Sequence, residues 1–149
     1  MAIKFGTDGW RDLIADNFTF ENVRLCSQAV ANYMKSHNIH DSGIMIGYDT
    51  RFGSKDFASA VAEVLAGNEI PVLLCDRSAP TPVVSYNLVA RECGAGVVIT
   101  ASHNPAEWNG FKFKPAYGGS ASTDIVEELE SEIEIIEKSR KYTSLVLQK

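Results

Sequence analysis

A chain of 149 residues, 45% hydrophobic and 22% charged, is sized for one domain that buries its own core without disulfide or metal staples. With 14 Lys and Arg against 19 Asp and Glu, its net charge of −5 argues against nucleic acid as a default partner, and an anion site would have to be a local gathering of cations. No run approaches the roughly 18 apolar residues of a membrane-spanning helix, and Met1 to Arg11 lacks the apolar segment of a signal peptide.

In chain order, Thr19 is placed to cap a helix over about 20–37, with Phe20, Val23, Ala29, Val30, Tyr33 and Met34 near one face. Residues 43–49 (GIMIGYD) form a short apolar run opened by glycine, the pattern of a buried strand. Ser54 is expected to cap a second helix carrying Phe57, Ala60, Val61, Val64 and Leu65, which stops near Gly67. Residues 70–76 (IPVLLCD) read as another strand, and 81–92 as a third helix with Pro82 tolerated in its first turn. Residues 95–100 (AGVVIT) complete the alternation of strand and helix that predicts parallel βαβ units and a sheet covered on both faces. A further strand over 110–114 follows too closely for a helical crossover and is expected to run antiparallel. The last helix, about 123–141, sets Ile125, Leu129, Ile133 and Ile136 on one side, with an acidic start and a basic end that suit its dipole. Cys26, Cys75 and Cys93 are odd in number and have no metal-ligand spacing, so they read as small buried hydrophobes in a reducing, cytoplasmic compartment.

Parallel sheets bind ligands beyond the carboxyl ends of their strands. Asp49-Thr50-Arg51, Asp76-Arg77 and Thr100-Ala101-Ser102-His103-Asn104-Pro105 each follow a predicted parallel strand and should share that edge. The serine loop presents a small hydroxyl where backbone N–H groups can cradle an anion. Phe5-Gly6-Thr7-Asp8-Gly9-Trp10-Arg11 permits a tight backbone that delivers Arg11, and Gly47-Tyr48-Asp49-Thr50-Arg51 sets an arginine fork past a strand. Trp108-Asn109-Gly110-Phe111-Lys112 reads as a hairpin with an Asn-Gly turn that returns Lys112 toward the serine. Arg11, Arg51, His103 and Lys112 thus surround one hydroxyl with cations, which suits a phosphate held on Ser102, with its charge of about −2 and three acceptor oxygens. A serine hydrolase fits poorly, because there is no Gly-x-Ser-x-Gly elbow and His103, as immediate neighbour, is badly placed to be the base. Gly94-Ala95-Gly96 precedes a strand where a dinucleotide fingerprint would follow one.

The four segments FGTDGWR, GYDTR, TASHNP and NGFKFKP, in this order, resemble the first domain of the phosphoglucomutase/phosphomannomutase (α-D-phosphohexomutase) family, over nearly the whole chain from Phe5 to Lys141. The resemblance implies a three-layer α/β/α domain with a mixed, mostly parallel sheet over residues 1–141. Residues 142–149 would then be a linker or the start of a second domain absent from this chain. It implies that Ser102 carries the transferring phosphate and lends an oxygen to a Mg²⁺ site, whose aspartate ligands belong to an Asp-x-Asp-x-Asp-Arg loop of that second domain. By the same resemblance Arg11, Lys112 and His103 join Ser102 in the chemistry, and Arg51, Asn104 and Thr100 serve phosphate or substrate binding.

The implied activity is isomerisation of hexose 1-phosphate and hexose 6-phosphate, of glucose or mannose, through a sugar bisphosphate. Its partners would be the hexose phosphate and the remaining domains of the polypeptide, with neither nucleic acid nor membrane. Arg11-Asp12 and Thr100-Ala101 depart from the Arg-Gly and Ser-Ala of the phosphoglucosamine mutases and lean toward the phosphoglucomutase/phosphomannomutase branch. Because family members are several times longer, the chain alone is expected to be inactive. A non-catalytic binding or regulatory module that kept the fold is the alternative from a different class.

Overall fold

The computed structural model describes residues 3–6 and 9–146. Five strands and four helices follow in the order β1 (Trp10–Leu13), α1 (Phe20–Ser36), β2 (Ile44–Tyr48), α2 (Ser54–Gly67), β3 (Val72–Leu74), α3 (Thr81–Ala90), β4 (Ala95–Ile99), β5 (Trp108–Pro115) and α4 (Thr123–Ser139). A short 3-10 turn, His40–Ser42, precedes β2. The strands form one mixed sheet in the order β1-β5-β4-β2-β3. β2 pairs parallel with both β3 and β4, and β5 runs antiparallel between β4 and β1. The expected α/β class, the parallel βαβ units and the antiparallel return are all present.

The pleat sorts the core into two layers. Ile44, Ile46, Val97 and Ile99 face the larger cluster, built with Val23, Val30 and Met34 of α1, Val61 and Leu65 of α2, and Leu129 and Ile133 of α4. Met45 and Val98 point the other way and meet Val84 and Leu88 of α3. Every residue of β2 and β4 is buried, as continuous apolar runs in a doubly covered parallel sheet require. Cys26 and Cys93 are buried and Cys75 is half-buried; all three are free, and burial pushes each thiol above its ordinary pKa.

Several local expectations hold in detail. Thr19 caps α1, its hydroxyl accepting from Asn22 N at 3.2 Å. Pro82 sits in the first turn of α3. Others need correction. Ser54 is the first residue of α2 and does not cap it; the cap position is Gly53, in the left-handed region at φ 77°. Phe20 is 41% exposed, outside the buried face of α1, and stacks on Phe57 at 4.4 Å.

The Asn-Gly pair is not a turn at all. Asn109 and Gly110 lie inside β5, opposite Asp12 and Arg11 of β1, and neither has positive φ. The chain reverses earlier, between Thr100 and Glu107; at position 110 a Cβ would clash with Thr100 O and come within 3.0 Å of both Arg11 Cγ and Trp10 O. Glycine is used there for close backbone approach, not for a turn conformation.

β1 is the element that the sequence pattern does not announce. It is short, and it forms because β5 offers a partner and because Trp10 buries itself against Phe18, which in turn meets Phe57 edge-on. Past α4, residues 142–146 lie along the helices: Thr143 N donates to Gln28 Oε1 at 3.0 Å and Leu145 N to Glu63 O at 3.0 Å. No helix among the described residues is long and apolar enough to cross a membrane.

Candidate active site

The carboxyl ends of β2, β3 and β4 open on one edge of the sheet, as the parallel register requires. An open groove of about 520 Å³ there is lined by Asp49, Thr50 and Arg51 after β2, by Ala79, Pro80 and Thr81 at the start of α3, and by Thr100, Ser102 and Asn104 after β4. Its size and position match a site for a small ligand beyond the strand ends. A larger groove of about 870 Å³, between α1, α4 and residues 140–143, contains none of the sequence motifs. Asp76 and Arg77 lie on the productive edge but are exposed and bind each other at 3.0 Å. The hydrogen bonds from Arg77 hold the Asp76 carboxyl below its ordinary range.

Ser102 is exposed and sits at φ 53°, in the left-handed region that a non-glycine residue enters only when its surroundings hold it there. Its N–H donates to Thr100 Oγ1 at 3.0 Å, which fixes the start of the bend. Its hydroxyl oxygen accepts from Lys112 Nζ at 2.8 Å. Lys112 arrives there because it stands on β5 directly opposite Val98 of β4, so the antiparallel register carries it back beside the loop.

Arg11 is delivered by the N-terminal segment through β1. Gly6 and Gly9 exchange backbone hydrogen bonds of 3.1 and 3.0 Å, while Thr7 and Asp8 of the same motif lie outside the described residues. Gly9, at φ 88°, lets the segment lie flat on β5, where a Cβ would clash with Phe111 O and approach Lys112 Cα to 2.9 Å. From β1, Arg11 donates to Asn104 Oδ1 at 3.1 Å. His103 is exposed beside Ser102. The serine oxygen is therefore met by a lysine, and the Ser-His hydrogen bond that a hydrolase needs is replaced by Lys112.

Arg51 takes a different place from the other cations. Its Nη1 donates to Pro105 O at 2.7 Å and Trp108 O at 3.2 Å, and its Nη2 to Ser102 O at 2.9 Å and to Asn104 O. Its Nε faces Asp49 Oδ2 at 3.4 Å. All five guanidinium donors are thus directed at the protein itself. Arg51 underpins the serine loop, and the loop's backbone carbonyls take the donors that a phosphate would otherwise receive.

Sequence reasoning missed three polar groups beneath the loop: Asp49 as an anchor, and the fully buried Ser54 and Asn109. Asn109 and Ser54 are disguised in the sequence as a turn residue and a helix cap. Their signal is visible only in three dimensions, as polar side chains at 0% exposure.

No group of three His, Cys, Asp or Glu side chains among the described residues is arranged to hold a metal ion. Thr100 Oγ1 and Asn104 Oδ1 already accept from Ser102 N and Arg11. The described residues therefore do not by themselves build a Mg²⁺ site.

The architecture and this edge define a class: an α/β/α domain that presents a serine, its hydroxyl oxygen accepting from a lysine, beyond the ends of its parallel strands. The chain matches the family described as phosphoglucomutase/phosphomannomutase, alpha/beta/alpha domain I, over residues 2–140, and it belongs to that family. A phosphoglucomutase of Staphylococcus saprophyticus is 36% identical over 142 residues, covering 91% of this chain and 25% of the relative. A phosphoglucosamine mutase of Clostridium acetobutylicum is 37% identical over 135 residues, covering 90% of this chain and 30% of the relative. Among solved structures, a Thermus thermophilus protein assigned as a phosphomannomutase superposes with a TM-score of 0.84 at 33% identity, over 89% of this chain and 30% of its own. The chain spans about a quarter to a third of the length of these relatives.

Proposed function

We propose that this chain is the phosphate-carrying domain of a hexose-phosphate mutase, with Ser102 as the residue that gives and regains the phosphoryl group. The observation that carries the reading is the exposed Ser102 hydroxyl, in a left-handed bend, with Lys112 Nζ 2.8 Å from its oxygen. In the first half-reaction the bond from phosphorus to Ser102 Oγ breaks as a bond forms to a hydroxyl oxygen of the sugar phosphate. The sugar hydroxyl proton passes to solvent water at the exposed loop, and Ser102 Oγ takes up the charge of the broken bond. Lys112 stabilises that charge and supplies a proton to it; the reverse step, with the other phosphate of the bisphosphate, returns the proton to the lysine. Arg11, held by Asn104, neutralises the moving phosphoryl oxygens, and the exposed His103, next in sequence to Ser102, would position or protonate a sugar hydroxyl.

Glucose and mannose phosphates are the proposed substrates, and Mg²⁺, with its other ligands from outside this chain, would supply further neutralisation of the transferring phosphate. The relative named for glucosamine keeps that sugar as the alternative. Residues 1–141 are proposed to be the domain proper and 142–149 the lead into the next. A cytoplasmic setting is proposed on the three free cysteines.

The test is turnover of glucose 1-phosphate to glucose 6-phosphate by the full-length polypeptide, primed with glucose 1,6-bisphosphate, beside labelling with a fluorophosphonate probe. Turnover that Ser102→Ala abolishes, without probe labelling, is expected. Labelling of Ser102 with no turnover of glucose, mannose or glucosamine phosphates would replace the mutase with a hydrolase.

A further inference from the structure

Beneath the serine loop a single line of hydrogen bonds runs from the sheet to the loop carbonyls, and two of its members are polar side chains with no exposure at all. Asn109 Nδ2 donates to Ser54 Oγ at 2.9 Å, and Ser54 Oγ donates to Asp49 Oδ1 at 2.7 Å. The same Asp49 oxygen accepts from Arg51 N at 3.0 Å, while its partner oxygen faces Arg51 Nε. From there the guanidinium spreads over the carbonyls of Ser102, Asn104, Pro105 and Trp108. At the other end Asn109 Oδ1 accepts from Gly110 N at 2.8 Å, so the carboxamide cannot rotate without losing both bonds.

We infer that Ser54 and Asn109 are positioning residues of the phosphoserine loop, setting the orientation of the Asp49–Arg51 pair and, through it, the placement of Ser102. Three features argue for this role over plain packing. The donors of Gly110, Asn109 and Ser54 point the same way, toward the Asp49 carboxylate, so these bonds polarise one another and this part of the line acts as a unit. Ser54, the first residue of α2, is fully buried and directs its hydroxyl out of the helix to Asp49. Asn109 shares β5 with Lys112, so one strand grips the loop twice, by the relay from below and by the lysine at Ser102 Oγ. A left-handed serine needs such an external hold, and its own loop supplies only the Thr100 contact and two backbone bonds, Asn104 N to Ala101 O and Trp108 N to Pro105 O.

This inference rests on the mutase reading for its kinetic consequence but not for its structural one, and the experiment separates the two. In the full-length polypeptide, Ser54→Ala, Asp49→Asn and the double variant are compared with the parent by amide hydrogen exchange and by steady-state mutase kinetics. Ser54→Ala is expected to speed exchange at Ser102, Asn104 and Trp108 by about tenfold while β2 and α1 stay protected. It should also lower kcat by about tenfold with KM within about twofold, the split expected when alignment and not ground-state binding is lost. The double variant should be no slower than the slower single variant, because both break one chain.

Unchanged loop exchange in Ser54→Ala, or losses that multiply in the double variant, would overturn the inference. Should Ser54→Ala fail to fold, loop exchange in Asp49→Asn decides the matter alone. If the parent protein shows no mutase turnover, the functional proposal falls while loop exchange still decides the role of the relay.

Discussion

Lys112 Nζ, 2.8 Å from Ser102 Oγ, is the shortest statement of the chemistry this chain offers. An ammonium at that distance favours a charged oxygen over a neutral one, and the effect grows when substrate closes the groove and removes water. Replacing it by methionine keeps the length of the side chain and deletes the charge and the donors. Lys112→Met is expected to slow the single-turnover transfer of phosphate from Ser102 by about 10²-fold or more, by rapid quench, in line with the loss of an acid or a charge-stabilising donor. A rate within about twofold of the parent would show that the lysine only packs against the loop. Arg11 and Arg51 look alike in the sequence, yet they separate here. From β1, Arg11 donates to the side chain of Asn104, a residue that lines the groove, whereas Arg51 directs its donors at backbone carbonyls and an aspartate. Residue type and spacing could not divide them, because the division depends on which carbonyls the loop turns inward.

At the scale of elements, the central helices and strands were legible because their patterns are strong: continuous apolar runs for β2 and β4, and a 3.6-residue period for α1 and α4. The edges were not. β1 is a four-residue strand with one fully apolar anchor, Trp10, and its existence depends on a partner far away in the sequence. Asn109-Gly110 carries the strongest short hairpin signal in the chain, and tertiary context overrides it. The carboxamide is consumed by Gly110 N and Ser54, and the glycine is needed where β1 and the end of β4 crowd β5. Gly110→Ala tests that account. Its Cβ would meet backbone atoms that cannot swing aside, so a loss of about 1–3 kcal/mol is expected in urea unfolding, with the β1–β5 pairing weakened first. A stability equal to that of the parent would mean that β1 is free to move off β5, and that Arg11 is not held as described.

At the scale of the whole molecule, the sheet and its helices form a platform on which four sequence segments converge at one edge. α4 belongs to that platform: Leu129 and Ile133 are each 1% exposed within the larger core cluster. Leu129→Ala is expected to cost about 2–5 kcal/mol, read as a lower denaturation midpoint, with little direct effect on the groove. A change under about 0.5 kcal/mol would place α4 outside the cooperative unit. The same platform is a part of something larger in its relatives, of which it spans about a quarter to a third. The groove itself is lined by Ser102, and the lysine on its hydroxyl oxygen comes from β5 beside it.

The central claim is that Ser102 carries the phosphate. Intact-mass spectrometry of the full-length polypeptide after incubation with glucose 1,6-bisphosphate, beside the Ser102→Ala variant, tests it directly. The account predicts one added phosphate, about 80 Da, mapped to Ser102 and absent from the variant. An unchanged phosphate in Ser102→Ala, or none in the parent protein, would contradict it.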